Sequence, residues 1–164
     1  MTERLTFAEL DKQLAAIQRE TARRLELVPV PQAHGDWAAL MRKHSEMLAI
    51  LESSRDRKAD LRPPADRADA YRRYVAAIDR QLVLERAVLA AAQSEDFDTY
   101  SCACRTLAGS LRDVQAAGRD SGLRRTAPTA AQRAGIWITL PWYIVRAHRH
   151  ARAERAAGRD WRSA

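Results

Sequence analysis

Apolar residues return every three or four positions through the first 120 residues. Phe7, Leu10, Leu14, Ile17, Thr21, Leu25 and Val28 form a first stripe. That spacing keeps side chains on one face of a helix with 3.6 residues per turn. Thr6 and Glu9 form a capping-box pattern at its start, and Pro29, Pro31 and Gly35 end it. Asp36 can cap a second helix, with its stripe at Trp37, Leu40, Met41, His44, Leu48 and Leu51. The polar run Glu52 to Asp60 follows, and Pro63-Pro64 closes the segment. Asp66 and Asp69 open a third helix carrying Tyr71, Tyr74, Val75, Ile78, Leu82, Val88 and Leu89, and reaching about Gln93. Ser94 to Asp98 is a short acidic connection, placed where carboxylates favour a helix N-terminus. The fourth stripe, Phe97, Tyr100, Cys104, Leu107, Leu111, Val114 and Gly118, alternates spacings of three and four, with Gly118 and Gly122 as the stop.

Four stripes of this length make helices of roughly 33 to 42 Å, and their short connections force neighbours antiparallel. The expected architecture is all-α: a four-helix up-down-up-down antiparallel bundle over residues 1–122, with a basic C-terminal helical extension. Phe97, Tyr100, Leu107, Leu111 and Val114 are expected to be buried. Ala90-Ala91-Ala92 and Ala116-Ala117 allow close helix approach. Composition agrees. The chain has 32 Ala and 25 Arg, strong helix formers, against 21 Val, Ile or Thr, which disfavours a sandwich or barrel. Hydrophobic residues at 46% and charged residues at 30% describe a folded chain, not a disordered one.

After Leu123 the texture changes. Arg124 to Thr129 reads as a linker, and residues 123–164 as a linker plus a basic, Trp-containing helical tail, with Pro141 at a kink or first helical position. Net charge is +7, unevenly placed: residues 1–100 hold 16 basic and 17 acidic side chains, and residues 101–164 hold 12 and four. An anionic partner is therefore to be sought at the C-terminal end. The bland reading is a high-GC genome that writes Arg for Lys. On a continuous helix Trp137, Leu140 and Ile144 share one side with Ala147, His148 and Ala151, and arginines spread over the remainder. The candidate interaction residues are Trp137, Leu140, Trp142, Ile144, Arg146, Arg149, Arg152, Arg155 and Arg159. Such a helix suits a protein groove, a second copy of the chain, an anionic membrane surface or a nucleic-acid backbone. Packing back on the bundle as a fifth helix is the structural alternative.

Little else carries chemistry. Cys102 and Cys104, two apart on a helix, diverge too far for a disulfide. The di-iron carboxylate pattern needs Glu-x-x-His, which is absent, as is Cys-x-x-Cys-His for haem. His44 lies on the apolar stripe, where a partly satisfied core histidine is the commoner case. His148 and His150 diverge by about 200° on a helix and cannot share a metal. His44-Ser45-Glu46 points three ways on a helix, and the glycines are scattered rather than forming a phosphate loop. Residues 132–146 faintly resemble a helix-turn-helix, interrupted by Pro141. No cofactor, metal, catalytic residue or small-molecule substrate is expected. Met1 to Thr6 precede no apolar run, and the longest apolar stretch, Ala134 to Val145, has 12 residues where a spanning helix needs about 20. The expected location is cytoplasmic or peripheral to a membrane.

Four motifs carry a resemblance over Trp37 to Leu123: Leu61-Arg62-Pro63-Pro64, Tyr71-Arg72-Arg73-Tyr74-Val75, the Ser94-Glu95-Asp96-Phe97 turn and the Gly122-Leu123 end. This stretch resembles a group of uncharacterised helical-bundle proteins of high-GC actinobacteria, many of them exported. The resemblance implies a helical bundle and no known chemistry. The chain departs from the group in showing no export signal and no cysteine after Gly122-Leu123. The functional expectation is a non-enzymatic helical interaction module acting through its tail, and the alternative is a nucleic-acid-binding protein using the same arginines.

Overall fold

A computed structural model describes residues 4–31 and 35–122. Among these the chain is an all-α bundle of four long helices: α1 Phe7–Glu26, α2 Trp37–Ala59, α3 Ala68–Gln93 and α4 Phe97–Asp120. The tail residues 123–164, with the linker and helix expected there, lie outside the described residues.

The caps follow the sequence at three of the four starts. The Thr6 hydroxyl accepts from Glu9 N–H at 3.3 Å, while the Thr6 N–H donates to the Glu9 carboxylate at 2.8 Å. Asp36 accepts from Ala39 N–H at 2.9 Å, and Asp96 from Thr99 N–H at 3.1 Å. The third start differs. Asp66 does not cap α3; a 3-10 turn, Ala65–Arg67, leads into Ala68 with no side-chain cap. Pro63-Pro64 explains this, since the extended conformation at Pro64 (ψ 152°) needs one tight turn before a helix can begin. The end of α4 also differs from expectation. Gly118 lies inside the helix, close to the Tyr74 ring, and the stop is Gly122 at φ +72°.

Polar contacts set the register. Thr21 meets Ser54, and Arg57 meets Glu20. Tyr71 donates to the Lys58 carbonyl, Arg55 grips Asp79 through two nitrogens, and Arg86 meets Glu52. Between α2 and α3 the partner's number rises as the first falls, so those helices run antiparallel. The largest packing surfaces join α3 to α4 and α2 to α3, with α1 resting on α2. Helix α3 is thus central, and nine of its residues are buried. Ala91 and Ala92, 5% and 0% exposed, are among them.

The two ends of the bundle are built differently. At one end Leu10, Leu14, Tyr71, Tyr74 and Ile78 form an apolar cluster, with Leu5, Leu61, Val75, Val114 and Ala117 packed against it. The other end buries Val88, Ala92, Cys104 and Leu107 together with His44, Glu85 and Ser101. Of the α4 residues expected to be buried, Leu107 is; Phe97, Tyr100, Leu111 and Val114 are only half-buried. Among the described helices α4 packs chiefly on α3, and its stripe is half-buried at these four positions.

Candidate functional site

The bundle's most unusual chemistry is this polar end. Helix α2 supplies Lys43 and His44, α3 supplies Glu85, and α4 supplies Tyr100, Ser101 and Cys104. Each sits where helical spacing puts it. His44 follows Leu40 by four. Glu85 lies midway between Leu82 and Val88 on the α3 stripe, and Ser101 precedes Cys104 by three. The signal for Glu85 was therefore present in the sequence, as an acid on an apolar face, and it was missed.

Tyr100 is the hub. Its hydroxyl lies 2.8 Å from His44 Nε2, and its ring meets the edge of His44 at 5.7 Å and of Trp37 at 5.8 Å between centroids. His44 is thus a partly satisfied core histidine. Among the described residues, its Nδ1 and the Ser101 Oγ are the buried side-chain polar atoms with no hydrogen-bond partner. Such atoms are uncommon in interiors because each has given up its water bonds for nothing.

Burial governs the ionisation of the group. It pushes His44 down to about 4, helped by the neighbouring Lys43 charge, so the imidazole is neutral at pH 7. It pushes Glu85 up to about 7, against a hydrogen bond from Gln81 and the attraction of Lys43. Desolvation lowers Lys43 from its ordinary value. The Cys104 thiol is pushed up to about 11, so it stays protonated and weakly nucleophilic. Cys102 is exposed, and both cysteines are free. The described residues contain no group of three or more His, Cys, Asp or Glu able to hold a metal ion. The phenol and the imidazole thus share a hydrogen bond, while burial keeps the thiol protonated and the imidazole neutral at pH 7.

Outside this cluster, a shallow groove of about 280 Å³ runs between α1 and α2, lined by Gln13, Ala16, Ile17, Arg57, Asp60 and Leu61. Its Arg57 is engaged by Glu20 at 2.6 Å. No helix among the described residues is long and apolar enough to cross a membrane. The sequence-derived interaction residues, Trp137, Leu140, Trp142, Ile144, Arg146, Arg149, Arg152, Arg155 and Arg159, lie outside the described residues. No protein-family model, curated protein or solved structure matches the chain.

Proposed function

We propose that the chain is a non-enzymatic helical interaction module whose basic C-terminal segment engages a protein partner, a second copy or an anionic membrane surface. One observation carries this reading, the separation of charge. Residues 1–122 contain 19 basic and 19 acidic side chains, while residues 123–164 contain nine basic and two acidic, Glu154 and Asp160. In the bundle three arginines pair with acids across helices: Arg57 with Glu20, Arg55 with Asp79 and Arg86 with Glu52. The C-terminal segment lacks acids of its own in comparable number, which favours an anionic counterpart. The proposed setting is the cytoplasm, a reducing compartment that suits two free cysteines. The buried, protonated Cys104 and neutral His44 support a role other than catalysis.

The test uses the full chain and two variants. One replaces Arg146, Arg149, Arg152, Arg155 and Arg159 by Gln; the other combines Trp137→Ala with Ile144→Ala. Each is measured against anionic liposomes and duplex DNA at low and high salt, with self-association followed by sedimentation. Each arginine at an anionic surface contributes about 1 kcal/mol, screened by salt, whereas apolar burial survives salt. Liposome binding or self-association that the Trp137/Ile144 variant abolishes supports the proposal. DNA binding that vanishes at high salt and in the arginine variant replaces it with the nucleic-acid reading, which the same charge separation also favours. Wild-type behaviour of both variants in every assay refutes it.

A further inference from the structure

The outward face of α3 carries an exposed aliphatic residue between opposite charges. Three large apolar side chains are exposed among the described residues, and Val83, 60% exposed, is the one that lies inside a helix. At 100° per residue Ala76, Arg80, Val83, Ala87 and Ala90 share an arc of about 80°, and all five are exposed. Asp79 and Arg86, which reach α2, mark one flank of this face. Arg73 falls on the other flank, the side of α4, toward which the chain turns at Glu95. Both Arg73 and Glu95 are exposed, and neither side chain makes an ion pair or hydrogen bond among the described residues. Arg72, by contrast, is held by Asp69. Glu95 also sits at φ +54°, a conformation that glycine adopts freely and glutamate only at a cost. A carboxylate kept at that cost with no counterpart among the described residues points to one outside them.

We propose that the outward face of α3 is a dimerisation surface, on which a second copy of the chain docks its own α3 antiparallel, with Arg73 of each copy paired to Glu95 of the other. A two-fold axis perpendicular to α3 at Val83 brings the two Val83 side chains together and sets Ala76, seven residues before, against Ala90, seven after. The same axis keeps each flank facing itself. At 1.5 Å per residue Arg73 lies about 15 Å from the axis and Glu95 about 18 Å from it in the opposite direction, so the ion pair forms twice, once at each end. Arg80 lays its aliphatic stem over Ala87 of the second copy. A parallel pairing would instead set Arg73 against Arg73 and Arg80 against Arg80, and like charges disfavour it. The surface belongs to the bundle and does not rest on the C-terminal segment, so it stands or falls apart from the proposed function.

Sedimentation equilibrium of the full chain tests the surface, alongside a full-length Trp137→Ala/Ile144→Ala variant that removes the apolar contacts proposed for the C-terminal segment. Both should dimerise. Val83→Asp places two carboxylates at the axis and should weaken dimerisation by about 50-fold or more. Arg73→Glu or Glu95→Arg alone should weaken it about 10-fold, and the two together should restore it to within about 3-fold. Glu95→Gly separates the two properties of that residue. Its stability in dilute, monomeric solution should rise as the backbone strain is lost, while dimerisation weakens about 5-fold. These positions are exposed, so each variant should keep the circular dichroism of the wild type. A full chain that stays monomeric up to its solubility limit overturns the proposal. So does dimerisation that Val83→Asp leaves intact, or charge reversals that fail to rescue one another. Association lost in the Trp137→Ala/Ile144→Ala variant but untouched by the α3 changes overturns it as well, and leaves the proposed function standing.

Discussion

Replacing Glu85 by Gln tests the electrostatics of the polar end without changing its shape. Gln keeps the length and hydrogen-bonding capacity of a protonated Glu but never ionises. Glu85 titrates at about 7 in the folded chain against 4.5 when unperturbed. A raised carboxyl value means the stabilising form is the protonated one. Its contribution is complete below 4.5, fades as pH rises and is gone above 7. At 1.36 kcal/mol per pH unit the span corresponds to about 3 kcal/mol. His44 works in the opposite sense. Its value falls from 6.5 to about 4, so its contribution is complete above 6.5 and lost as pH falls through 4, again by about 3 kcal/mol. Between 4.5 and 6.5 the two slopes cancel, because folding in effect moves a proton from His44 to Glu85. Wild-type stability, measured by urea denaturation from pH 4 to 8.5, should therefore be nearly flat across that window. The Glu85→Gln variant, stripped of one slope, should lose stability steadily below pH 6.5 and exceed wild type by up to about 3 kcal/mol above pH 7. A stability difference between the two proteins that does not change with pH would refute the reasoning.

Leu107→Ala should destabilise the bundle by about 2–5 kcal/mol in denaturation, since Leu107 is 7% exposed and its loss leaves a cavity. Gly122→Ala should cost more than about 1 kcal/mol, read as a lower thermal midpoint, because its φ is +72° and a Cβ there would lie 2.8 Å from Arg67 Nη1. Thr6→Ala removes a cap from α1 and should cost about 1 kcal/mol by the same measurement. Asp79→Ala should change stability by less than about 1 kcal/mol, because its partner Arg55 and the carboxylate are 33% and 44% exposed and water screens the pair.

The helices were legible wherever spacing and a cap coincided. Thr6 with Glu9, Asp36, and the Phe97-to-Val114 repeat locate three helix starts. Asp66 misled because a carboxylate before an apolar run is ambiguous when two prolines precede it. Backbone constraint at Pro64 decided that start, and side-chain pattern says nothing of it. Half-burial on α4 was not legible either, since periodicity gives the direction of a stripe but not how many neighbours cover it. The polar end was half-legible. His44 stood out on its stripe, whereas Glu85 was passed over, and neither Ser101 nor the convergence on Tyr100 follows from one helix alone. The interaction residues from Trp137 onward came from charge and amphipathic spacing, which describe a segment's chemistry without naming its counterpart.

The contrast between the ends of the bundle bears on the order in which it assembles. Leu10, Leu14 and Ile78 need only shed water to come together, and Tyr71 exchanges its water bond for the Lys58 carbonyl. His44 and Glu85 must also give up charge, and Ser101 must abandon its solvent bonds without replacement. Contacts with that requirement are expected to form after those of the apolar end. Changes at Leu14 should then act mainly on the folding rate, and changes at Ser101 mainly on the unfolding rate. On that expectation the lifetime of the native bundle depends most on its polar end, and the speed of reaching it on the other.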